Sequence, residues 1–218
     1  MGKQTVAIID YGMGNLHSAA SALERVADVR VQVTAERADI EAAERVLLPG
    51  VGAIRDCMAA IRARGLDRLI AAQIAVKPVL AICVGMQTLM RYSEENAGVD
   101  CLGQIDGRVC FFGDDLRDSG AERRRLKVPH MGWNRVRQRR AHPLWAGIAQ
   151  DSHFYFVHSY YVRLGAASLL AGSAEYGVEF AAAVAAKNLF CTQFHPEKSH
   201  LAGLQLLRNF VCWDGADG

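Results

Sequence analysis

The chain has 218 residues, of which 51% are apolar, 22% charged and 8% aromatic, and its formal net charge is +2. These values are typical of a globular protein with a substantial core, and they exclude a disordered or collagen-like chain. The small net charge gives no reason to expect a nucleic-acid partner, and six cysteines in this length are too few for a disulfide scaffold.

The start of the chain lacks the pattern of a targeting signal, because residues 1–4 lead directly into the strand-like run Thr5–Ile9. No apolar stretch reaches the roughly 18 residues that a membrane span needs. The most apolar candidate is interrupted by Lys77 and Pro78. We therefore expect a soluble protein of the reducing cytoplasm, with no membrane partner.

Short apolar runs alternate with segments of helical periodicity in the first half of the sequence. Strands separated by helix-length segments predict β-α-β units, which form a parallel sheet with helices on both faces. The predicted strands of this half are residues 6–9, 29–33, 45–48 and 78–82, and the predicted helices are residues 16–27 and 53–64.

The second half is richer in strand patterns. Residues 104–136 indicate short antiparallel strands and turns. Strand-like runs follow at residues 153–162, 168–174, 179–185 and 188–194, and a closing amphipathic helix has the apolar positions Leu201, Leu204, Leu207, Phe210 and Val211. We predict an α/β fold in one domain over residues 1–218, with a core at about residues 5–213. Its mostly parallel central sheet is flanked by helices and extended by antiparallel strands.

The basic residues are unevenly distributed. Between Glu122 and Arg140 the sequence has eight basic residues and one acidic residue. Two interpretations remain open: contact with an acidic partner or phosphates, or a solvated strand face, which the alternation Arg135-Val136-Arg137 also favours.

Cys83 lies at a junction that is typical of a catalytic nucleophile. It follows the predicted strand ending at Ile82 and precedes residues 84–90, which can begin a helix. A tight strand-to-helix turn presents the side chain at the carboxyl end of the sheet, and the helix N-terminus favours a thiolate. The alternative is an inert buried cysteine, which is how we interpret the other five: Cys57, Cys101, Cys110, Cys191 and Cys212.

A nucleophilic cysteine needs a base and a group that orients the base. His195 follows the predicted strand 188–194, and Pro196 can turn the chain so that Glu197 reaches the imidazole. None of the other six histidines combines a strand end with a nearby acid. We predict a Cys83-His195-Glu197 triad.

The segment Pro49-Gly50-Val51-Gly52 follows another predicted strand. Its glycines allow close backbone approach to a ligand, and with the Val84 N–H it predicts an oxyanion hole formed by Gly50, Val51 and Val84. An ordinary turn is the alternative. The sequence has no HExxH motif and no close cysteine pair with zinc spacing, so we expect neither a metal nor a cofactor.

Together, residues 49–52, 83–87 and 194–197 resemble the three signatures of the class I (triad) glutamine amidotransferases, in order and spacing, from Val6 to about Trp213. Three further motifs, residues 10–16, 129–134 and 155–160, resemble those of the glutaminase subunits of imidazole glycerol phosphate synthases. The resemblance implies a flavodoxin-like fold. It also implies hydrolysis of glutamine through a γ-glutamyl thioester.

The resemblance further implies the residues that bind the substrate and the partner. Glutamine would be held by Gly52, Gln87, Ser159 and Tyr160. The partner would be a barrel-fold cyclase subunit of the HisF type, which forms a heterodimer with the glutaminase and uses its ammonia in histidine biosynthesis. The interface and ammonia exit would lie near Asn15, Trp133, Tyr155 and Lys198. Trp133 and Tyr155 also suit a core, and Lys198 also suits a solvated surface.

The chain departs from the family pattern at Ala81, where glycine is usual. The Ala-Ile-Cys run also resembles intracellular proteases and chaperone-like relatives, which generally lack Met86-Gln87 and the His-Pro-Glu segment. The sequence also leaves open the glutaminase subunit of anthranilate or aminodeoxychorismate synthase, and a non-catalytic binding module of the same fold.

Overall fold

In a computed structural model, which describes residues 3–216, helices and strands alternate in the first half of the chain and strands predominate in the second. The predicted domain also includes Met1, Gly2, Asp217 and Gly218, which lie outside the described residues. In chain order the described elements are β1 (Thr5–Ile9), α1 (Leu16–Val26), β2 (Arg30–Thr34), α2 (Arg37–Ala42), β3 (Arg45–Leu48), α3 (Ile54–Ala63), α4 (Leu66–Val76), β4 (Val79–Ile82), α5 (Val84–Thr88), β5 (Tyr92–Ser93), β6 (Val99–Asp100), β7 (Gly107–Phe111), β8 (His130–Gln138), β9 (Ser152–His158), β10 (Tyr160–Leu164), β11 (Leu170–Tyr176), β12 (Val178–Ala186), β13 (Leu189–Thr192) and α6 (His200–Cys212).

A nine-stranded sheet in the described part of the chain has the order β2-β1-β3-β4-β13-β12-β11-β8-β9. The pairings from β2 to β13 are parallel, and those from β13 to β9 are antiparallel. The sheet is therefore mixed, with the predicted parallel part extended by a long antiparallel part. Neighbouring strands β4 and β13 are parallel, so the segments that follow them meet at one edge of the sheet.

Two helices were absent from the sequence-based prediction. The six-residue α2 buries one side chain, Ile40, which is too little to produce a periodic pattern. Gly65 is correctly predicted to stop a helix, but it adopts a left-handed φ of 62° and α4 begins at the next residue. A single glycine therefore joins two helices, which periodicity alone does not reveal.

The predicted strand at residues 153–162 is wrong as one strand. The chain bends at Ser159, so β9 joins the large sheet while β10 joins a separate sheet of order β10-β7-β5-β6. The closing helix is confirmed, but Leu201 does not belong to its buried face because it is 84% exposed. Leu206, Leu207, Phe210 and Val211 of α6 are buried in the core.

The basic segment meets acidic side chains at several positions. Arg124 pairs with Glu122, Arg137 with Asp151, and Arg139 with Glu179. On β8 the exposed Arg135 and Arg137 flank the buried Val136, as a solvated strand face requires. Among residues 3–216, no helix is long and apolar enough to span a membrane.

Candidate active site

Cys83 occupies a strained turn between β4 and α5. Its φ of 55° lies in the region that side-chain-bearing residues rarely adopt, which typically costs about 1–3 kcal/mol. The turn is fastened to the neighbouring strand because the Cys83 N–H donates to the Thr192 carbonyl at 2.7 Å. Ala81 stays inside β4, paired with Leu48 and Cys191, and its φ is not positive. The methyl group of Ala81 is therefore accommodated, and the strain falls on Cys83.

The helix that begins directly after Cys83 is short. It begins at Val84, as predicted, but ends at Thr88, so α5 has only five residues. A helix of this length has few aligned peptide dipoles, and its N-terminus therefore favours a thiolate less than expected. The Cys83 side chain is only 3% exposed.

The segment Pro49–Gly52 packs backbone to backbone against α5. A Cβ atom on Gly50 would lie 2.3 Å from the Gly85 nitrogen, and one on Gly85 would lie 2.2 Å from the Leu48 oxygen. Both positions therefore require glycine. The segment is also anchored by Tyr11, whose hydroxyl donates to the Pro49 carbonyl at 2.7 Å and is buried. This anchor, within the 10–16 motif, was not predicted.

His195 and Glu197 are held in contact by the turn that follows β13. Pro196–Lys198 form a short 3-10 helix, and this brings the Glu197 Oε1 to 2.8 Å from the His195 Nδ1. Their side chains are 2% and 3% exposed. Burial opposes protonation of His195, but the charge of Cys83 and the charge and hydrogen bond of Glu197 outweigh it and raise the pKa of His195 to about 10. The ring is thus arranged to carry a proton beside Cys83.

The backbone of this turn is equally constrained. The His195 N–H donates to the Tyr155 carbonyl at 2.9 Å, and the Ser199 hydroxyl donates to the His195 carbonyl at 2.6 Å. Phe194 is fully buried and stacks on Phe154 with a centroid separation of 4.1 Å. The histidine is therefore positioned by packing on both sides. Its Nε2 has no hydrogen-bond partner among residues 3–216.

The predicted oxyanion hole is closed in this conformation. The Val84 N–H donates to the Gly50 carbonyl at 3.3 Å. Gly50 and Val84 are thus adjacent, as predicted, but this N–H becomes available to an oxyanion only when the Gly50 carbonyl turns away. Val51 lines the adjacent cleft.

A cleft of about 320 Å³ lies over Cys83 and His195. The four residues predicted to hold the substrate all line it: Gly52, Gln87, Ser159 and Tyr160. Sequence reasoning missed Glu95, which also lines the cleft from a short 3-10 turn that no motif marks. It also missed Gln193, a buried polar residue directly after β13 whose Nε2 lies 3.7 Å from the Cys83 Sγ. The available signal was a long polar side chain directly after the buried strand Leu189–Thr192.

The predicted interface residues lie around the His195–Lys198 turn. Trp133 and Tyr155 are opposite each other on β8 and β9, with rings 5.9 Å apart, and Trp133 is 45% exposed. Lys198 is exposed beside Glu197. Asn15 caps α1 and lines a small cavity together with His195 and Glu197. Among residues 3–216, no group of three or more His, Cys, Asp or Glu side chains is arranged to hold a metal ion.

A strained cysteine at a strand end, a histidine-glutamate pair on the adjacent strand and a glycine-rich backbone segment are the features of a triad amidotransferase site. The chain matches the family "Glutamine amidotransferase class-I" over residues 7–212, and it belongs to this family. It is 58% identical to a Pseudomonas putida protein named "Imidazole glycerol phosphate synthase subunit HisH", over 97% of this chain and 99% of the relative. A Nitrosococcus oceani protein of the same name is 54% identical over 97% of this chain and 98% of its own.

Solved structures of low sequence identity have the same fold. PurLQS from Thermotoga maritima superimposes with a TM-score of 0.69 at 16% identity, covering 97% of this chain and 99% of that one. A crystal structure described as a glutamine amidotransferase gives a TM-score of 0.68 at 16% identity, covering 94% of this chain and 96% of that one.

Proposed function

We propose that the protein is the glutaminase subunit of an imidazole glycerol phosphate synthase. It hydrolyses glutamine to glutamate and ammonia. The ammonia passes to a barrel-fold cyclase subunit, with which the chain forms a cytoplasmic heterodimer that makes imidazole glycerol phosphate and aminoimidazole carboxamide ribotide for histidine biosynthesis. The observation that carries the proposal is the His195–Glu197 hydrogen bond at a cleft that is lined by Cys83, by His195 and by the residues expected to hold glutamine. The names of the relatives support the choice of synthase.

The reaction begins with attack of the Cys83 thiolate on the γ-carbonyl carbon of glutamine. The protonated His195 gives its proton to the leaving nitrogen, so the C–N bond breaks, ammonia departs and a γ-glutamyl thioester remains. His195 then takes a proton from water, which attacks the thioester and releases glutamate. Glu197 holds the imidazole through Nδ1 in both steps, and the raised pKa of His195 keeps the ring protonated for the first step.

The tetrahedral intermediates need donors for their oxygen. The proposal assigns these to the backbone around Gly50, Val51 and Val84. It requires the hydrogen bond from Val84 to Gly50 to open during the reaction. The Tyr11 anchor on the adjacent Pro49 carbonyl limits that movement to the glycine-containing part of the segment.

Binding of the amino-acid end of glutamine is assigned to the opposite wall of the cleft. Glu95 supplies a carboxylate for the α-ammonium group, and the bend at Ser159 exposes backbone groups to the substrate. Gly52 provides close backbone approach with its φ of 92°.

The partner surface is assigned to the edge formed by β8, β9 and the start of α6. Trp133 stacks on His200 with a centroid separation of 4.9 Å while remaining half exposed, and Met131 beside it is 62% exposed. Exposed aromatic and methionine side chains are enriched at protein interfaces. Lys198 lies on the same edge and adjoins Glu197, so docking there contacts the segment that positions the triad.

The test is glutamate release by the chain with and without the co-purified cyclase subunit. We expect activity that the cyclase stimulates, loss of that activity in Cys83→Ala, and covalent labelling of Cys83 by the glutamine analogue diazo-oxo-norleucine. Cys101→Ala is the matched control, because Cys101 lies outside the cleft. Full activity in Cys83→Ala contradicts the mechanism. Stimulation by an anthranilate or aminodeoxychorismate synthase subunit in place of the cyclase contradicts the assignment to histidine biosynthesis.

A further inference from the structure

The amide of Gln193 contacts the sulfur of Cys83, and the mechanism above gives it no role. Gln193 is fully buried, and its Nε2 donates to the Cys83 Sγ at 3.7 Å. We propose that Gln193 is a further catalytic residue, whose N–H stabilises the thiolate form of Cys83 and holds the sulfur in the cleft. This inference rests on the proposed role of Cys83 as the nucleophile.

The surrounding hydrogen bonds determine which end of the Gln193 amide faces the sulfur. The Tyr160 carbonyl can only accept, so the amide of Gln87 must present its Nε2 to that oxygen, at 3.1 Å. The same Nε2 donates to the Gln193 Oε1 at 3.0 Å. With its oxygen turned to Gln87, Gln193 has only its NH2 group left for Cys83.

The Tyr160 carbonyl is itself fixed by a chain of two buried histidines. The His158 Nδ1 donates to this carbonyl at 2.8 Å, and the His130 Nδ1 lies 2.9 Å from the His158 Nε2. The Asn134 Nδ2 lies 3.3 Å from the His130 Nε2. Burial lowers the pKa of His158 to about 3 and that of His130 to about 4. Both rings are therefore neutral at pH 7, each with one donor and one acceptor, as this series of hydrogen bonds requires.

The contact favours the thiolate over the thiol. Hydrogen bonds to an ionised acceptor are roughly twice as strong as those to a neutral one, so the N–H of Gln193 stabilises the charged sulfur more. The Cys83 Sγ also lies 4.0 Å from the Val157 carbonyl, which can accept from a thiol but repels a thiolate. The N-terminus of the short α5 contributes little to stabilising a thiolate. Gln193 is therefore a neutral donor placed where the negative charge forms.

Gln87 has a different role in this arrangement from the one predicted. Both hydrogens of its Nε2 are engaged, by Tyr160 and by Gln193. Only its Oε1 remains for a substrate. We therefore assign Gln87 primarily as a positioning residue that orients Gln193.

The experiment is alkylation of the full chain by iodoacetamide from about pH 5 to about pH 10, with each cysteine-containing peptide quantified by mass spectrometry. In Gln193→Leu we expect the pH midpoint of Cys83 alkylation to rise by about one pH unit, with roughly tenfold slower alkylation below the midpoint. In Gln193→Glu, which keeps the shape but places an acceptor at the sulfur, the rise is expected to be larger. Gln104→Glu, the same change at an exposed glutamine, is expected to leave the midpoint unchanged.

Each outcome decides a separate point. If wild-type Cys83 shows no pH-dependent alkylation beyond that of the exposed Cys212, the assignment of the nucleophile is wrong. If Cys83 is reactive but both Gln193 variants have the wild-type midpoint, the role of Gln193 is refuted and that of Cys83 stands. Thermal unfolding checks that the variants fold. If neither Gln193 variant folds, Gln87→Met is the substitute, because it leaves Gln193 in place but removes the donor that orients its amide. It must raise the midpoint for the inference to survive.

Discussion

Replacing Glu197 by glutamine tests whether charge, rather than hydrogen bonding alone, makes His195 an acid. The Glu197 Oε1 lies 2.8 Å from the His195 Nδ1, and both side chains are almost fully buried. Hydrogen bonds to charged groups contribute about 1.5–3 kcal/mol, and each 1.36 kcal/mol changes a rate tenfold. Glu197→Gln keeps the shape and an oxygen for Nδ1, so a neutral hydrogen bond of about 0.5–1.5 kcal/mol remains and the loss is about 1–1.5 kcal/mol. We therefore expect kcat for glutamate release to fall by about 5- to 13-fold.

The same substitution has a signature in the pH profile. Because the carboxylate is one of the groups that raise the pKa of His195 to about 10, its removal lowers that pKa. The alkaline limb of kcat, where the imidazolium loses its proton, is then expected to move to lower pH. The assay is glutamate release by the cyclase complex across this pH range, with the exposed Glu24→Gln as the matched control. A kcat within about twofold of wild type, together with an unmoved alkaline limb, refutes the reasoning.

Three further predictions concern the backbone, the buried histidines and the partner surface. In Gly50→Ala the new Cβ would lie 2.3 Å from the Gly85 nitrogen, so we expect a loss of about 1–3 kcal/mol in the free energy of unfolding and a fall in glutamate release. Burial holds the pKa of His130 to about 4 and that of His158 to about 3, so the unfolded chain binds more protons below pH 6.5. The contribution of the two neutral histidines to the free energy of unfolding is therefore fully present above that pH and decreases as pH falls towards about 4. In His130→Phe, the pH dependence of thermal unfolding should be shallower by about one proton. Trp133→Ala is expected to weaken cyclase binding about 30-fold in titration calorimetry.

Controls for these predictions lie elsewhere on the surface. Gly120→Ala has room for its methyl group, His153→Phe changes an exposed histidine, and Val33→Ala truncates an exposed side chain on β2. Normal stability and turnover in Gly50→Ala would show that the loop tolerates a side chain. An unchanged proton uptake in His130→Phe would contradict the neutral pair, and cyclase affinity within about twofold of wild type would place Trp133 outside the interface.

The parallel part of the fold and the residues of the candidate triad could be predicted because their signals are local. A buried strand followed by Cys83, and a strand end followed by His195-Pro196-Glu197, each occupy a few consecutive residues. The junction at Gly65 could not be predicted, because this single glycine separates the end of one helix from the start of the next. The bend at Ser159 could not be predicted either, because the continuous strand-like run around it divides between two sheets.

The contacts made by Gln193 are non-local in the same way. Its amide reaches Cys83 across a separation of 110 residues and Gln87 across 106, and only the adjacency of β4 and β13 brings them together. A sequence pattern can identify a polar residue at a strand end, but not the direction of its amide.

The two halves of the candidate site are prepared to different degrees. His195 and Glu197 already have a hydrogen bond, a rigid backbone and a shared burial, so chemistry demands little rearrangement of them. The predicted oxyanion donors are not prepared in this way, because the Val84 N–H already donates to the Gly50 carbonyl. Gly50 and Gly85 have no side chains, so the backbone around Gly50 lies in close contact with the backbone of α5. The Val84–Gly50 hydrogen bond lies between these two backbone segments, directly after the strained Cys83. Opening it costs about one ordinary hydrogen bond, roughly 0.5–1.5 kcal/mol net, which binding of glutamine or of the cyclase can supply. The small cost of this opening means that a change in the Gly50 peptide is accessible to the bound complex, whereas His195 and Glu197 need no comparable movement.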